Sequence, residues 1–417
     1  MGTLGRVSQS ESLPIRRNTI LLSAALAANS AMLQLSAAVA SLTLVLVLDI
    51  QGLLGLGPAI VLASGALAAL PAGRSMDRFG RIPVLAAGYG FGIVGCGLAA
   101  LGSAITSAPV VLVGLVGVGA ASGVSLLART AAGDMYPPER RARGIALVLF
   151  GAVFGALLGP SVFSPLLSGK DLDGDSLAPL WLAGGVFMVV GLALVSAVRP
   201  DPKEIARLLG NEGTGVERPA APLRELLARP GVIPALLAAQ ASFAVMVALM
   251  TLTGPVVVDY QGHAAHHVFP IIAAHVVGMY ALVIVVGDLI DRIGRTPALA
   301  GGLLLMAAAA ISLLWVESVP ATALALFGLG LGWNFSFVAA TAELADSTHA
   351  SERGRLLGFN DLLSGATGAG LALLGGLALD VLGVASLAIG AAVLVILPAA
   401  WILREGRPGA AVEPGTG

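Results

Sequence analysis

Gly73-Arg74-Ser75-Met76-Asp77-Arg78-Phe79-Gly80-Arg81 and Gly287-Asp288-Leu289-Ile290-Asp291-Arg292-Ile293-Gly294-Arg295 are one motif written twice, 214 residues apart. The shared positions are Gly73, Asp77, Arg78, Gly80 and Arg81 in the first copy and Gly287, Asp291, Arg292, Gly294 and Arg295 in the second. A second charged pair recurs at almost the same offset. Asp134 precedes Glu139, Arg140 and Arg141, and 212 residues later Asp346 precedes Glu352 and Arg353. A repeat in register at two separate places makes the chain two copies of one unit. In such a loop small glycines let helix ends approach while Asp and Arg pair across them. The motif residues, together with Asp134, are therefore expected to gate the approach of one unit to the other.

The text between the motifs is apolar. Of 417 residues 57% are hydrophobic and 11% charged, against about 25% charged in soluble domains. Crossing about 30 Å of hydrocarbon takes roughly 20 helical residues. The stretches of that length without charge are Asn18–Leu48, Ile50–Gly73, Ile82–Ala128, Gly144–Gly169, Ser176–Val198, Pro230–Val258, Tyr260–Gly287, Thr296–Val316, Ser318–Ala342 and Val381–Leu403, with Leu356–Leu379 interrupted only by Asp361. Ile82–Ala128 has 47 residues, enough for two spans with a break near Ser107–Pro109, so the count is twelve. The expected fold is an all-α membrane protein of twelve transmembrane helices. Residues 1–198 form an N-terminal six-helix half, 199–229 a charged, Pro-rich cytoplasmic linker, and 230–417 a C-terminal six-helix half.

Basic residues concentrate in cytoplasmic segments. With the N-terminus inside, 22 of the 23 Lys and Arg residues fall on that side, and Lys170 is the exception. The expectation is a multi-pass protein of the cell's inner or plasma membrane with both termini cytoplasmic. The first apolar stretch is too long for a signal-peptide core. A net charge of −1 argues against nucleic acid as a partner, and the single Cys96 excludes an intramolecular disulfide or a Cys-rich zinc site. There is no GxxxxGK[ST] loop, no HExxH and no soluble domain beyond the linker, so enzyme activity and a prosthetic group are not expected.

Two parallel six-span repeats joined by GxxxDRxGR loops resemble the major facilitator superfamily, over essentially the whole chain. The resemblance implies pseudo-symmetric halves, transport by alternating access, and a substrate site near the bilayer midplane between the halves. Polar side chains at mid-span are then cargo candidates: Asn29 and Gln34 in span one, Met246 and Met250 in span seven, His275 and Met279 in span eight, Asn334 in span ten, and Asn360 and Asp361 in span eleven. Asp361 reads equally as a group protonated during coupling and as a structural hydrogen bond. Asn29, Gln34 and Asn334 read equally as cavity lining and as contacts between helices. Arg129 is expected to pair with Asp134 at the inner end of span four.

Four of the five histidines lie within thirteen residues: His263, His266 and His267 at the outer junction of spans seven and eight, and His275 near the centre of span eight. Met246 and Met250 are i and i+4, as are His275 and Met279, so each pair shares one helix face. Spans seven and eight are sequential and antiparallel, which puts Met246 and His275 at similar depth, with Met250 a turn outward and Met279 a turn inward. Thioether and imidazole are neutral donors suited to Cu(I). The four residues make a ladder for a soft monovalent ion, with His263, His266 and His267 placed to collect it. A metal-binding imidazole must be deprotonated, so uptake is expected to fall at acid pH.

MxxxM in span seven and HxxxM in span eight are similar to the signature of the CcoA-like copper importers within the superfamily. Ala274-His275-Val276-Val277-Gly278-Met279, Gly332-Trp333-Asn334-Phe335 and Asn360-Asp361 resemble that branch too. The resemblance implies copper uptake across the inner membrane, ultimately serving haem-copper oxidase assembly; the expected partners are the copper ion as substrate, the lipid bilayer and a cytoplasmic copper acceptor, and the expected state is a monomer. Relatives that carry riboflavin-like compounds share the span-ten and span-eleven text and lack the Met and His pairs. A proton-coupled exporter of drugs or metabolites is the further rival. Gly155, Gly159 and Pro160 partly match its Gly-Pro signature, but Phe163 and Ser164 replace the final glycines and Val113 stands where its arginine belongs.

Overall fold

The computed structural model describes residues 13–48, 56–155, 158, 174–209, 221–263 and 267–405, and every regular element among them is helical. In hydrocarbon a backbone has no water to bond, so each apolar segment satisfies its own N–H and C=O groups by coiling. Span one is Ile15–Leu48, span two Leu56–Phe79 and span three Arg81–Ala104. The 47-residue stretch divides where the sequence suggests. Ser107 is extended (φ −110°, ψ 104°), a proline occupies the first turn after it, and span four runs Ala108–Leu126 and then Ala128–Met135.

Span five begins with Arg141–Leu149 and span six is Gly174–Ser196. Gly159, Pro160, Phe163, Ser164 and the loop with Lys170 lie outside the described residues. Span seven is Val232–Pro255, span nine Arg295–Ser312 and span ten Val319–Asp346. Span eight is two helices, Val268–Tyr280 and Val283–Ile293, bent by 41° at their junction. Spans eleven and twelve share Ala350–Glu405, which breaks at Gly383 (φ 76°). Among the described residues nine helices, or ten with the bent pair, are long and apolar enough to cross a membrane. Spans five and eleven complete the twelve of the fold.

Large apolar side chains such as Leu67, Val94, Val186 and Leu324 point outward, as a lipid-facing surface requires. Inside, glycine and alanine let helices approach closely, the usual means of helix association where lipid removes the hydrophobic drive. The halves meet along two surfaces, span two against span eleven and span five against span eight. Under the repeat, span two corresponds to span eight and span five to span eleven, so the two surfaces are mates. Each opens at a motif glycine. A Cβ on Gly73 would strike the Gly354 carbonyl oxygen, and one on Gly287 would come within 2.7 Å of the Ala146 Cβ. Gly80 and Gly294, with φ of 97° and 90°, turn one span directly into the next in a region that side-chain-bearing residues avoid.

Candidate functional site

At the end of the bundle where the arginines gather, the two motif copies build a symmetric lattice. Asp77 Oδ1 accepts from Arg81 Nη1 at 2.8 Å and from the Gly354 N–H at 2.8 Å, while its Oδ2 accepts from the Arg355 N–H at 2.6 Å. Arg81 Nε donates to Asp134 Oδ2 at 2.6 Å, and Arg353 Nη1 donates to the other Asp134 oxygen. The second copy repeats this. Asp291 accepts from Arg295 Nη1 at 2.6 Å and from the Ala142 and Arg143 N–H groups at 3.2 and 3.0 Å. Asp346 accepts from Arg295 Nε at 3.1 Å and from Arg141 Nη1. The outer arginines are anchored alike, Arg353 Nε on the Ala345 carbonyl and Arg141 Nε on the Gly133 carbonyl, each at 3.0 Å. In each copy the bonds among the three motif groups, Asp77, Arg81 and Asp134 or Asp291, Arg295 and Asp346, lie within one half, while the backbone N–H donors and the outer arginine Nη1 come from the other half.

Arg78 and Arg292 correct the expectation that every motif residue joins the gate. Both are exposed, and Arg78 lies over the Phe79 ring at 5.0 Å. On a helix, residues 77 and 81 share a face and residue 78 is turned about 100° away. Sequence reading left Arg141, Arg353 and Asp346 out of the gate, although the 212-residue offset was their signal. It also missed Asp201 in the linker, whose carboxylate accepts from the Arg81 and Ile82 N–H groups at 3.1 and 2.9 Å, at the start of span three.

The expected Arg129–Asp134 pair is not formed. Arg129 Nη2 donates to Asp361 Oδ1, joining span four to span eleven across the halves, and the guanidinium carbon stands 4.6 Å from the Phe337 ring centre. Five residues separate Arg129 from Asp134, which puts them on different faces, and Asp134 is already bracketed by two arginines. Asp361 also accepts from Asn360 Nδ2 at 3.3 Å, and Asn360 Oδ1 accepts from Gln240 Nε2 at 3.0 Å. Gln240, the one amide side chain of span seven, is a further polar group the sequence reading passed over.

His275 is fully buried. Its Nδ1 donates to the Leu326 carbonyl of span ten at 2.9 Å, and its Nε2 is buried without a hydrogen-bonding partner. Spans eight and ten press together here because Gly330 has no side chain. A Cβ on it would strike the His275 carbonyl oxygen and stand 3.2 Å from Met279 Cγ. Met246 and Met279 are buried and Met250 half-buried. Span eight packs chiefly on span ten and touches span seven little, which is not the close pairing of spans seven and eight on which the expected ladder rests. Leu326, whose carbonyl holds His275, also lines a small apolar cavity with Leu249 and Thr253 of the methionine-bearing span seven.

At the far end His263 Nε2 donates to the Glu317 carbonyl at 2.6 Å, and its ring lies 5.8 Å from that of His267. His266 lies outside the described residues. Among the described residues no three His, Cys, Asp or Glu side chains converge as a metal cluster. Asn29 and Asn334 are buried with amide atoms unbonded, and Gln34 is half-buried. Trp333 stacks on Phe337 at 4.5 Å and meets Tyr280 edge-on at 5.9 Å.

The family model described as Major Facilitator Superfamily matches residues 19–335 and 263–417. Among curated proteins, the chain is 31% identical over 363 residues to the uncharacterized MFS-type transporter YddS of Bacillus subtilis (strain 168), covering 83% of this chain and 81% of that one. It is 32% identical over 304 residues to the riboflavin transporter RfnT of Brucella anthropi, covering 72% and 73%. Among solved structures, the human organic anion transporter MFSD10 matches with a TM-score of 0.74 at 15% identity, covering 94% of this chain and all of that one. The proton:xylose symporter XylE matches with a TM-score of 0.73 at 15% identity, covering 94% and 95%.

Proposed function

This chain belongs to the major facilitator superfamily, and from that premise we propose that the cargo of this secondary transporter is copper, taken up as Cu(I). The observation that carries the reading is the state of His275. A metal-binding histidine characteristically donates one ring N–H to a carbonyl or carboxylate, which fixes the tautomer and leaves the other nitrogen free to ligate. His275 Nδ1 is held by the Leu326 carbonyl and Nε2 is buried and unbonded. Met279 follows one turn along the same face, and Met246 and Met250 supply two more thioethers. Such a set is neutral and soft, which favours Cu(I) over zinc, magnesium or calcium.

The gate fits this direction of transport. With the arginine-rich end cytoplasmic, the lattice closes the inner side, and cargo enters from outside past His263 and His267. Rocking of the halves then dissolves the lattice and exposes Met279 inward, for transfer to an acceptor that serves oxidase assembly. The test is radioactive copper uptake by cells expressing the wild-type protein or the Met246→Ala, His275→Ala double variant, at matched membrane levels. Uptake by the wild type that is lost in the double variant supports the reading. Well-expressed wild-type protein that moves no copper sinks it.

One second reading has its own support. The relative RfnT is described as a riboflavin transporter, and Trp333 stacked on Phe337 beside an unbonded Asn334 amide suits a flat heteroaromatic ring. Riboflavin uptake that survives the double variant would favour it.

A further inference from the structure

A hydroxyl inside a helix can satisfy itself on the carbonyl four residues back, as Ser103 and Thr341 do at 2.7 and 2.8 Å. Ser122 does not, and its Oγ is buried without a partner. Asn334 goes further, with 1% of its surface exposed and both Oδ1 and Nδ2 unbonded. The two residues are mates at the 212-residue offset, and each sits at the middle of a 28-residue span, Ser122 in span four and Asn334 in span ten. Polar groups left unpaired at mid-membrane are costly and mark functional positions.

The repeat also says which way they point. Ser122 and Arg129 are seven residues apart, two turns along one face of span four, and Arg129 crosses to Asp361 of the other half. Asn334 holds the equivalent place on span ten, two turns outward of Thr341, the mate of Arg129. Ser122 and Asn334 therefore each face the opposite half at one depth, about 10 Å outward of Arg129. The charges inward of that level, Arg129 and Asp361, are paired with each other. What the level offers is neutral hydrogen-bonding capacity. Amide and hydroxyl oxygens are hard donors that a soft ion does not select, so neither residue serves the copper ladder.

A side-chain amide carries its C=O and NH2 side by side. It pairs through two parallel hydrogen bonds with a ring edge that presents a donor next to an acceptor, as asparagine does with a base edge. A hydroxyl from the other half can donate to a further carbonyl of the same ring. Trp333 and Phe337, on either side of Asn334 in span ten, stack at 4.5 Å as an aromatic wall. We propose, resting on the second reading above, that Ser122 and Asn334 bind the imide edge, C(=O)–N(H)–C(=O), of a planar neutral heterocycle. Asn334 Oδ1 accepts from the ring N–H, Asn334 Nδ2 donates to one ring carbonyl, and Ser122 Oγ donates to the other. With one group from each half, the cargo itself bridges the halves at the midplane.

The probes are riboflavin with N3-methylriboflavin, and lumazine with 3-methyllumazine. Each pair differs by a methyl group in place of the imide hydrogen, and the second pair lacks the third ring. Binding to the purified full-length protein is followed by quenching of the ring fluorescence. The wild type is expected to bind the N–H member about 10- to 100-fold more tightly than the methylated one, the range for a bidentate amide contact. Asn334→Leu should abolish that preference, whereas Ser122→Ala should weaken both members and keep it. A preference that survives Asn334→Leu overturns the proposal even if overall binding falls, because a purely structural role weakens both members alike. A wild type without the preference, or one that binds none of the four compounds, overturns it as well. If Asn334→Leu is not recovered folded, Asn334→Ala is read in the same way. Riboflavin bound without regard to N3 defeats this proposal alone. A lumazine preference lost in Asn334→Leu supports it even where riboflavin is not bound, and then the riboflavin reading alone fails.

Discussion

Asp134 of the first half accepts a hydrogen bond from Arg353 of the second, and 212 residues on the bond is repeated with the roles of the halves exchanged, Asp346 accepting from Arg141. The two copies are not equally buried. The Asp134 side chain is 0% exposed and that of Asp346 24%.

Asp134→Asn should therefore weaken the closed gate more than Asp346→Asn. Removing one partner of a buried pair leaves an uncompensated charge and costs about 3–5 kcal/mol, whereas a partly hydrated pair loses much less. Thermal unfolding of the two variants in detergent measures the difference. Equal losses would mean that burial does not set the strength of the two locks.

Glu352 gives the gate a pH dependence of its own. Burial raises its carboxyl, but the hydrogen bond and charge of Arg229 and the Ala221 and His349 N–H groups outweigh that and hold it below the ordinary glutamate value. Because the folded value is depressed, the stabilisation is fully present above the unfolded glutamate value and is lost as pH falls through the folded one. The stability gap between wild type and Glu352→Gln should be up to about 1 kcal/mol at neutral pH, since the pair is partly exposed, and should close as pH falls below the ordinary glutamate range. Unfolding midpoints of both proteins across that range test it, and a gap that persists at the acid end contradicts it.

The fold was legible because its two signals are local. Charge-free length counts spans, and a motif repeated at fixed offset reports duplication without any knowledge of contacts. The gate was half legible for the same reason, since Asp77 with Arg81 and Asp291 with Arg295 are i,i+4 pairs on single helices. What escaped was set through space. Nothing in the order of residues says that Arg129 reaches Asp361, 232 positions away, or that Asp201 caps a helix 120 positions earlier. Adjacency in sequence also misled, because span eight follows span seven in the chain and packs on span ten.

That packing makes Gly330 a sensitive point. Gly330→Ala puts a methyl group into the His275 carbonyl oxygen and against Met279, and overpacking of this kind costs about 1–3 kcal/mol. The variant should unfold at lower temperature and lose copper uptake together, since the same displacement moves both. Gly301, whose added Cβ would meet nothing within 4 Å, is the control, and Gly301→Ala should leave uptake unchanged and not lower the unfolding temperature, since alanine suits a helix better than glycine. Uptake that persists in a destabilised Gly330→Ala protein would separate the packing of spans eight and ten from transport.

Met279 distinguishes ligand from filler most cleanly. Met279→Leu keeps nearly the same volume and apolar character, a class of core exchange that costs less than about 1.5 kcal/mol, but removes the sulfur. If Met279 only fills the space beside Gly330, the variant should transport like wild type. If its thioether receives the ion from His275, copper uptake should fall by at least the roughly 10–100-fold that loss of an outer-shell partner costs a metal site, with thermal stability and any riboflavin uptake unchanged. Met250→Leu, on the half-buried residue one turn along span seven from Met246, should lower uptake less, because a ligand toward the outer side changes the rate of loading rather than the transfer from His275. Equal uptake by Met279→Leu and wild type, at equal expression, would return the methionines to packing and leave copper without its ligands.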